Sequence, residues 1–160
     1  RSLTGCAGEA APAAYYARGH YFTLSGRPPF SRLVYPIAES AGLGIHATVD
    51  LAGRVRFGPD VEWTDDVDYR FDAARRGRFA ASIRRYWPGL DESRLQPDYV
   101  GVRPKIVGPG SAAADFRVDG PGVHGIDGLV QMYGIESPGL TACLALGEHV
   151  VGALDAPASR

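Results

Sequence analysis

Two short stretches carry residue types that could hold a small anion. In Gly101-Val102-Arg103-Pro104 a guanidinium stands between a flexible glycine and a stiff proline. That group is planar and permanently charged, and it meets a carboxylate with two parallel hydrogen bonds. The surrounding segment reads as buried, and a buried arginine needs an anionic partner. A structural ion pair and a bound carboxylate answer that need equally, so both readings stay open. In Ser137-Pro138-Gly139-Leu140-Thr141 the pattern predicts a helix start. Ser137 caps it, Pro138 takes the first helical position, and an apolar helix follows. The N–H groups of Gly139, Leu140 and Thr141 would then face an anion or a polar ring edge. A cradle of amides together with a carboxylate clamp points to chemistry on a small acid.

The four histidines, His20, His46, His124 and His149, lack the spacing of a zinc site, and no cysteine pair accompanies them. His46 follows Gly42-Leu43-Gly44-Ile45 on a strand and shares a face with Thr48. It reads either as a structural histidine or as a general base for a hydroxyl proton. His124, in Gly122-Val123-His124-Gly125, is expected to bond backbone in a turn. His149 lies near the end of the last helix, where the dipole favours it. Asp65, Asp66 and Asp68 read as a solvated loop, because the spacing of a calcium loop is absent. No dinucleotide fingerprint, phosphate-binding loop or nucleophile elbow is present.

These groups need elements to position them. Residues 1–17 are Ala-rich without a clear apolar period and read as a loop or the tail of an earlier helix. Gly19–Ser25 alternates, with His20, Phe22 and Leu24 on one face and Tyr21 and Thr23 on the other. Leu33–Pro36 is a short strand. Ile45–Leu51 and Arg54–Gly58 form a hairpin about Ala52-Gly53, giving an antiparallel meander. Over 71–87 the period becomes helical. Phe79, Ala80, Ile83, Tyr86 and Trp87 share one face, and Arg75, Arg76, Arg78 and Arg85 form a solvated one. Asp72 is the expected cap, and Pro88-Gly89 ends the helix. Strands are predicted at 99–107, 115–118, 123–126 and 129–133. The final helix is predicted from Pro138 to Leu154, its apolar face carrying Leu140, Leu144, Gly147, Val150 and Val151. The tail from Asp155 is expected to fray.

Composition sets outer bounds. The chain has 160 residues and a net charge of −1, which gives no electrostatic case for nucleic acid or an anionic membrane. No apolar run approaches the length of a membrane span. Cys6 and Cys143 cannot make a disulfide framework and are expected as free thiols. Lys105 is the only lysine and asparagine is absent. With arginine and alanine abundant, this indicates a GC-rich, bacterial coding bias, and the free thiols of a reducing compartment give the expected cytoplasmic location, free or at a membrane surface.

Six motifs then carry a resemblance. They are Arg18-Gly19-His20-Tyr21-Phe22, Leu33-Val34-Tyr35-Pro36, Leu43-Gly44-Ile45-His46-Ala47-Thr48, Phe57-Gly58-Pro59-Asp60, Gly101-Val102-Arg103-Pro104 and Gly134-Ile135-Glu136-Ser137-Pro138-Gly139-Leu140-Thr141. In this order the chain resembles the FAD-dependent oxidoreductases of the D-amino-acid oxidase superfamily, most of all the L-2-hydroxyglutarate dehydrogenase/oxidase branch. The resemblance implies an α+β fold. An antiparallel substrate-binding sheet with a long helix would span 18–98, strands and a helix returning to the FAD domain would span 99–154, and 1–17 would be a connector. Such proteins are about twice this length, so the chain is expected to be the C-terminal part, its partner being the N-terminal FAD-binding portion with the glycine fingerprint.

By the same resemblance, Gly101, Val102 and Arg103 together with Ser137, Pro138, Gly139, Leu140 and Thr141 would meet the flavin. Arg103, Tyr35 and His46 would meet a small carboxylic acid, with His46 and Arg103 as the catalytic pair. The implied reaction is hydride transfer from a 2-hydroxy acid to the flavin. A deaminating amino-acid oxidase of the same superfamily is one alternative. A non-catalytic ligand-binding or interaction module is another.

Overall fold

Alternating apolar and polar residues at 15–24 build the long strand on which the first part of the molecule is organised. The computed structural model describes residues 11–37 and 44–155. Cys6, Leu43 and the expected tail beyond Asp155 lie outside the described residues. Two compact units are present, one of Tyr16–Arg103 and one of Pro104 onward together with the chain up to Tyr15.

In the first unit, β1 (Tyr15–Leu24), β2 (His46–Val49), β3 (Val55–Gly58), β4 (Glu62–Thr64) and β5 (Leu95–Lys105, its last two residues counted with the second unit) form one sheet. The order is β2-β3-β1-β4, and β5 also pairs with β1. β1 begins at Tyr15, so the loop expected over 1–17 gives way to strand there. The antiparallel hairpin β2–β3 pairs His46 with Gly58 and Val49 with Val55. The strand expected at Leu33–Pro36 is reduced to a single bridge, Val34 to Ala47.

β3 and β4 run antiparallel to β1 on successive stretches, Phe22 facing Phe57 and Arg18 facing Glu62. Between those pairs the register slips by one residue, so that Pro59, Asp60 and Val61 bulge against Gly19 and His20. The bulge frees the His20 N–H from its ladder, and the Asp60 carboxylate accepts it at 2.8 Å. The Gly58–Pro59 peptide is cis. Gly58 sits at φ +139°, and a Cβ there would lie 2.7 Å from the Tyr21 ring, so only glycine fits.

One face of this sheet is covered by α1 (Arg76–Arg84), preceded by a single 3-10 turn whose cap is Asp72, accepting from the Ala74 N–H at 3.0 Å. The helix is shorter than the 71–87 period suggests, but it buries Phe79, Ala80 and Ile83 as that period predicts. They pack with Phe22, Leu24, Ala47, Val55, Phe57 and Leu95, and Tyr86 and Trp87 close the edge. Each fully buried large apolar side chain contributes about 1.5–3 kcal/mol. Arg75 corrects the solvated-face reading. It is half-buried and pairs with Asp60 at 2.7 Å and Glu62 at 2.6 Å, because the bulge turns a carboxylate towards it.

In the second unit, β6 (Arg117–Asp119) and β7 (Gln131–Tyr133) form an antiparallel pair. Between them, 123–126 is not a strand. Pro121–His124 forms the short helix α2, with Pro121 in its first turn and Gly125 at φ +73° closing it. α3 runs from Cys143 to Asp155. It starts five residues later than Pro138, because Ser137–Ala142 form turns. Its half-buried side is Leu146, Val150 and Ala153, while Leu140, Leu144, Gly147 and Val151 are exposed. Except for Val150, the predicted apolar face is therefore turned outward. Cys143 is a free, exposed thiol.

Candidate acid-binding face and amide turn

Register fixes which side chains share the sheet face opposite α1. Residues paired across strands project to the same side, as do alternate residues along a strand. Phe22, Phe57 and Ala47 form the core-facing row. Tyr21, Gly58 and His46 therefore form the adjacent row on the other face, and Thr23, Arg56 and Thr48 the next. The Arg103 guanidinium reaches the same face, its Nη2 3.6 Å from the point where a Gly19 Cβ would lie. Pro59 would press on that Cβ at 2.7 Å, so Gly19 leaves the room that Pro59 uses.

The arginines of the two faces differ in their partners. On the α1 side Arg18 meets Glu62 at 2.7 Å and Asp68 at 2.8 Å, and Arg75 meets Asp60, Glu62 and Asp72. On the other face Arg56 pairs with Asp98. Half-buried Arg103 has no carboxylate partner among the described residues. Among the described residues no ion pair holds Arg103, and a half-buried guanidinium without one is suited to an incoming anion.

Aromatic rings frame this group. Tyr21 stacks on Tyr99 with centroids 4.4 Å apart, and the Arg56 guanidinium lies 5.1 Å from the Tyr99 centroid. Burial, then the neighbouring Tyr99, push the Tyr21 phenol up to about 12, against the pull of the Arg103 and Arg56 charges. Tyr21 therefore keeps its proton at neutral pH. His46 is buried, and Tyr35, itself 59% exposed, covers its ring at 4.1 Å between centroids. Gly101 and Val102 precede Arg103 on β5 and are half-buried. Sequence reasoning assigned no role to Tyr21, Tyr99 or Arg56. The signal for Tyr21 was present in the alternation of 19–25 and in the glycine at position 58.

Beneath the sheet, His20 is fully buried and its Nδ1 lies 3.1 Å from Asp60 Oδ1. Burial opposes the charge on Asp60, but the His20 amide, the Arg75 guanidinium and the His20 ring hold its carboxyl below the usual range. This cluster fixes the bulge on which Pro59 and Gly19 meet. His124 bonds backbone as expected, its Nδ1 accepting from the Ile126 N–H at 3.2 Å. Among the described residues no group of histidine, cysteine and carboxylates could hold a metal. No helix among them is long and apolar enough to cross a membrane.

The second unit carries the amide turn. Ser137 is not a helix cap and Pro138 is not a first helical residue. The Gly139 N–H is used inside the turn, donating to Glu136 O at 2.5 Å, and a Gly139 Cβ would strike Glu136 O and Ile135 at 2.7 Å. The N–H groups of Leu140 and Thr141 meet no acceptor among the described residues. Three expected donors thus become two, beside a Leu140 side chain that is 91% exposed. Lys105 donates to both oxygens of Glu136, at 2.6 and 2.9 Å, and ties the turn to the end of β5.

Comparison with known proteins adds relatives to this geometry. The chain is 53% identical over 151 residues to "L-2-hydroxyglutarate dehydrogenase, mitochondrial" of Arabidopsis thaliana, an alignment covering 87% of this chain and 31% of that protein. The chain thus spans less than a third of the length of that curated relative. Two solved structures share its fold. Dithionite-reduced L-α-glycerophosphate oxidase from Mycoplasma pneumoniae, with FAD bound, aligns with a TM-score of 0.72 at 20% identity, over 92% of this chain and 38% of its own. Glycerol-3-phosphate dehydrogenase from Bacillus halodurans, complexed with FAD, aligns with a TM-score of 0.60 at 18% identity, over 95% and 30%. The family model for FAD-dependent oxidoreductases matches residues 3–153, so the chain belongs to the FAD-dependent oxidoreductase family, in which FAD is the cofactor.

Proposed function

We propose that this chain is the C-terminal part of an FAD-dependent oxidoreductase that oxidises a small 2-hydroxy acid resembling L-2-hydroxyglutarate. Residues 18–98 form the substrate-binding part and 99–154 return to the FAD domain. The observation that carries the reading is the guanidinium of Arg103, without a carboxylate partner among the described residues, on the sheet face that also bears His46. Arg103 binds the substrate carboxylate and orients the adjacent carbon. His46, its ring held by Tyr35, takes the hydroxyl proton. Tyr35 lines the same pocket.

The amide turn fits one edge of a flavin. The unpaired N–H groups of Leu140 and Thr141 are donors for a polar ring edge, and Ser137, Pro138 and Gly139 shape the turn that presents them. Gly101 and Val102 on β5 are assigned to the cofactor by the family resemblance alone. FAD, when bound, accepts the hydride that leaves the substrate carbon.

Turnover by the full-length protein tests this reading. L-2-hydroxyglutarate is expected to bleach the flavin and L-glutamate is not. Ammonia release from glutamate would instead establish a deaminating amino-acid oxidase, and no bleaching by either would favour a non-catalytic module. His46→Gln is expected to lower kcat by about 100-fold or more with little change in KM. An unchanged kcat would remove His46 as the base.

A further inference from the structure

The sheet face that bears Arg103 holds a second guanidinium. Arg56 stands two residues along β3 from Gly58 and faces Thr23, whereas Arg103 lies over Gly19. The two arginines therefore flank the stacked Tyr21–Tyr99 pair from opposite sides, and both charges act on the Tyr21 hydroxyl. The partner count is uneven. On the α1 side Arg18 meets two carboxylates and Arg75 three. Here Arg56 meets one, Asp98, and Arg103 meets none among the described residues. Among the described residues this leaves a net positive charge around an aromatic floor.

Arg56 is also held in place. Its Nε donates to Asp98, and its planar group rests over the Tyr99 ring. No second carboxylate among the described residues meets it, and its side chain is 32% exposed. A guanidinium fixed by one edge still offers the donors of the other edge to a planar anion.

We infer that Arg56 is the residue that holds the far carboxylate of the proposed 2-hydroxyglutarate-like substrate, whose reacting end is held at Arg103. This rests on the reading of Arg103 as the clamp for the reacting end. Asp98 screens Arg56, so the far end is held less tightly than the reacting end. Arg56 is a specificity residue, with no part in the bond changes.

The test compares two five-carbon substrates in the full-length flavoprotein. L-2-hydroxyglutarate carries the far carboxylate, and L-2-hydroxyvalerate ends in a methyl group. The parent protein is expected to prefer the dicarboxylate. Arg56→Gln is expected to lower kcat/KM for L-2-hydroxyglutarate by about 30-fold and to leave L-2-hydroxyvalerate within about threefold, the loss of one charge-assisted contact. Arg56→Lys is expected to recover part of the preference. Equal losses on both substrates, or a parent protein without preference, would overturn the assignment. Arg103→Ala separates the two inferences. It is expected to weaken both substrates, and if it weakens neither, the clamp itself fails along with the inference built on it. If Arg103→Ala weakens both and Arg56→Gln changes nothing, only the Arg56 inference falls.

Discussion

Residues 16–103 bury their apolar side chains against one another, whereas 104–155 leave many of theirs outside. In the first unit Phe22, Phe57, Phe79, Ile83 and Leu95 are fully buried. In the second, Leu140 is 91% exposed, Leu144 83% and Val151 60%. The difference follows from how many apolar faces each sequence contains. The sheet has one core face and one helix to cover it. α3 is apolar on two sides and finds partners within its unit for one, as where Ala153 packs 3.3 Å from the Cβ position of Gly120.

The contrast can be broken most forcefully in the sheet. Phe22→Ala removes a ring that meets both Phe71 and Phe79, and it is expected to cost about 4 kcal/mol in chemical denaturation. A cost near zero would show that the first unit does not depend on this core. Asp60→Asn comes next, at about 3 kcal/mol, because it leaves His20 and Arg75 facing a neutral group. The pH dependence has a definite sign. The folded carboxyl titrates below its unfolded value near 3.8, so its contribution is complete above about pH 4 and is lost as pH falls through the folded value. Denaturation curves of the parent and Asp60→Asn should therefore converge in acid, and a constant gap would refute the pairing.

Smaller effects sharpen the comparison. Gly58→Ala drives a Cβ to 2.6 Å from His20 O and is expected to cost about 2 kcal/mol, read as a lowered melting temperature. Leu144→Ser should change the stability of the 160-residue chain by less than about 0.5 kcal/mol, since the side chain touches little there. In the longer protein the same change is expected to cost about 2 kcal/mol if that face is covered. Equal small effects in both would leave the face uncovered.

Much of the first unit was legible because its signals are local. The alternation of His20, Phe22 and Leu24 marked the buried face of β1, and Phe79, Ala80 and Ile83 marked that of α1. β4 was missed because Glu62-Trp63-Thr64 is short and pairs only through the bulge. α2 was mistaken for a strand although Pro121 and Gly125 carry helix start and stop signals. The same proline signal misled at Pro138, where the close approach of Gly139 to Ile135 and Glu136 keeps 137–142 in turns. The face of α3 was misassigned because periodicity cannot tell which of two apolar sides has a partner. At the site, Arg103 stood out through its neighbours in sequence. Its lack of a carboxylate, the Tyr21–Tyr99 stack and the place of Arg56 depend on strand pairing, which no local pattern encodes.

Binding of glutarate, a dicarboxylate with no hydroxyl group to oxidise, tests the clamp most directly when measured on the full-length flavoprotein and its Arg103→Ala variant. The expected result is an affinity at least about 30-fold weaker in the variant, with flavin content and melting temperature unchanged. Equal affinity in the two proteins would contradict the assignment of Arg103 as the group that holds the acid.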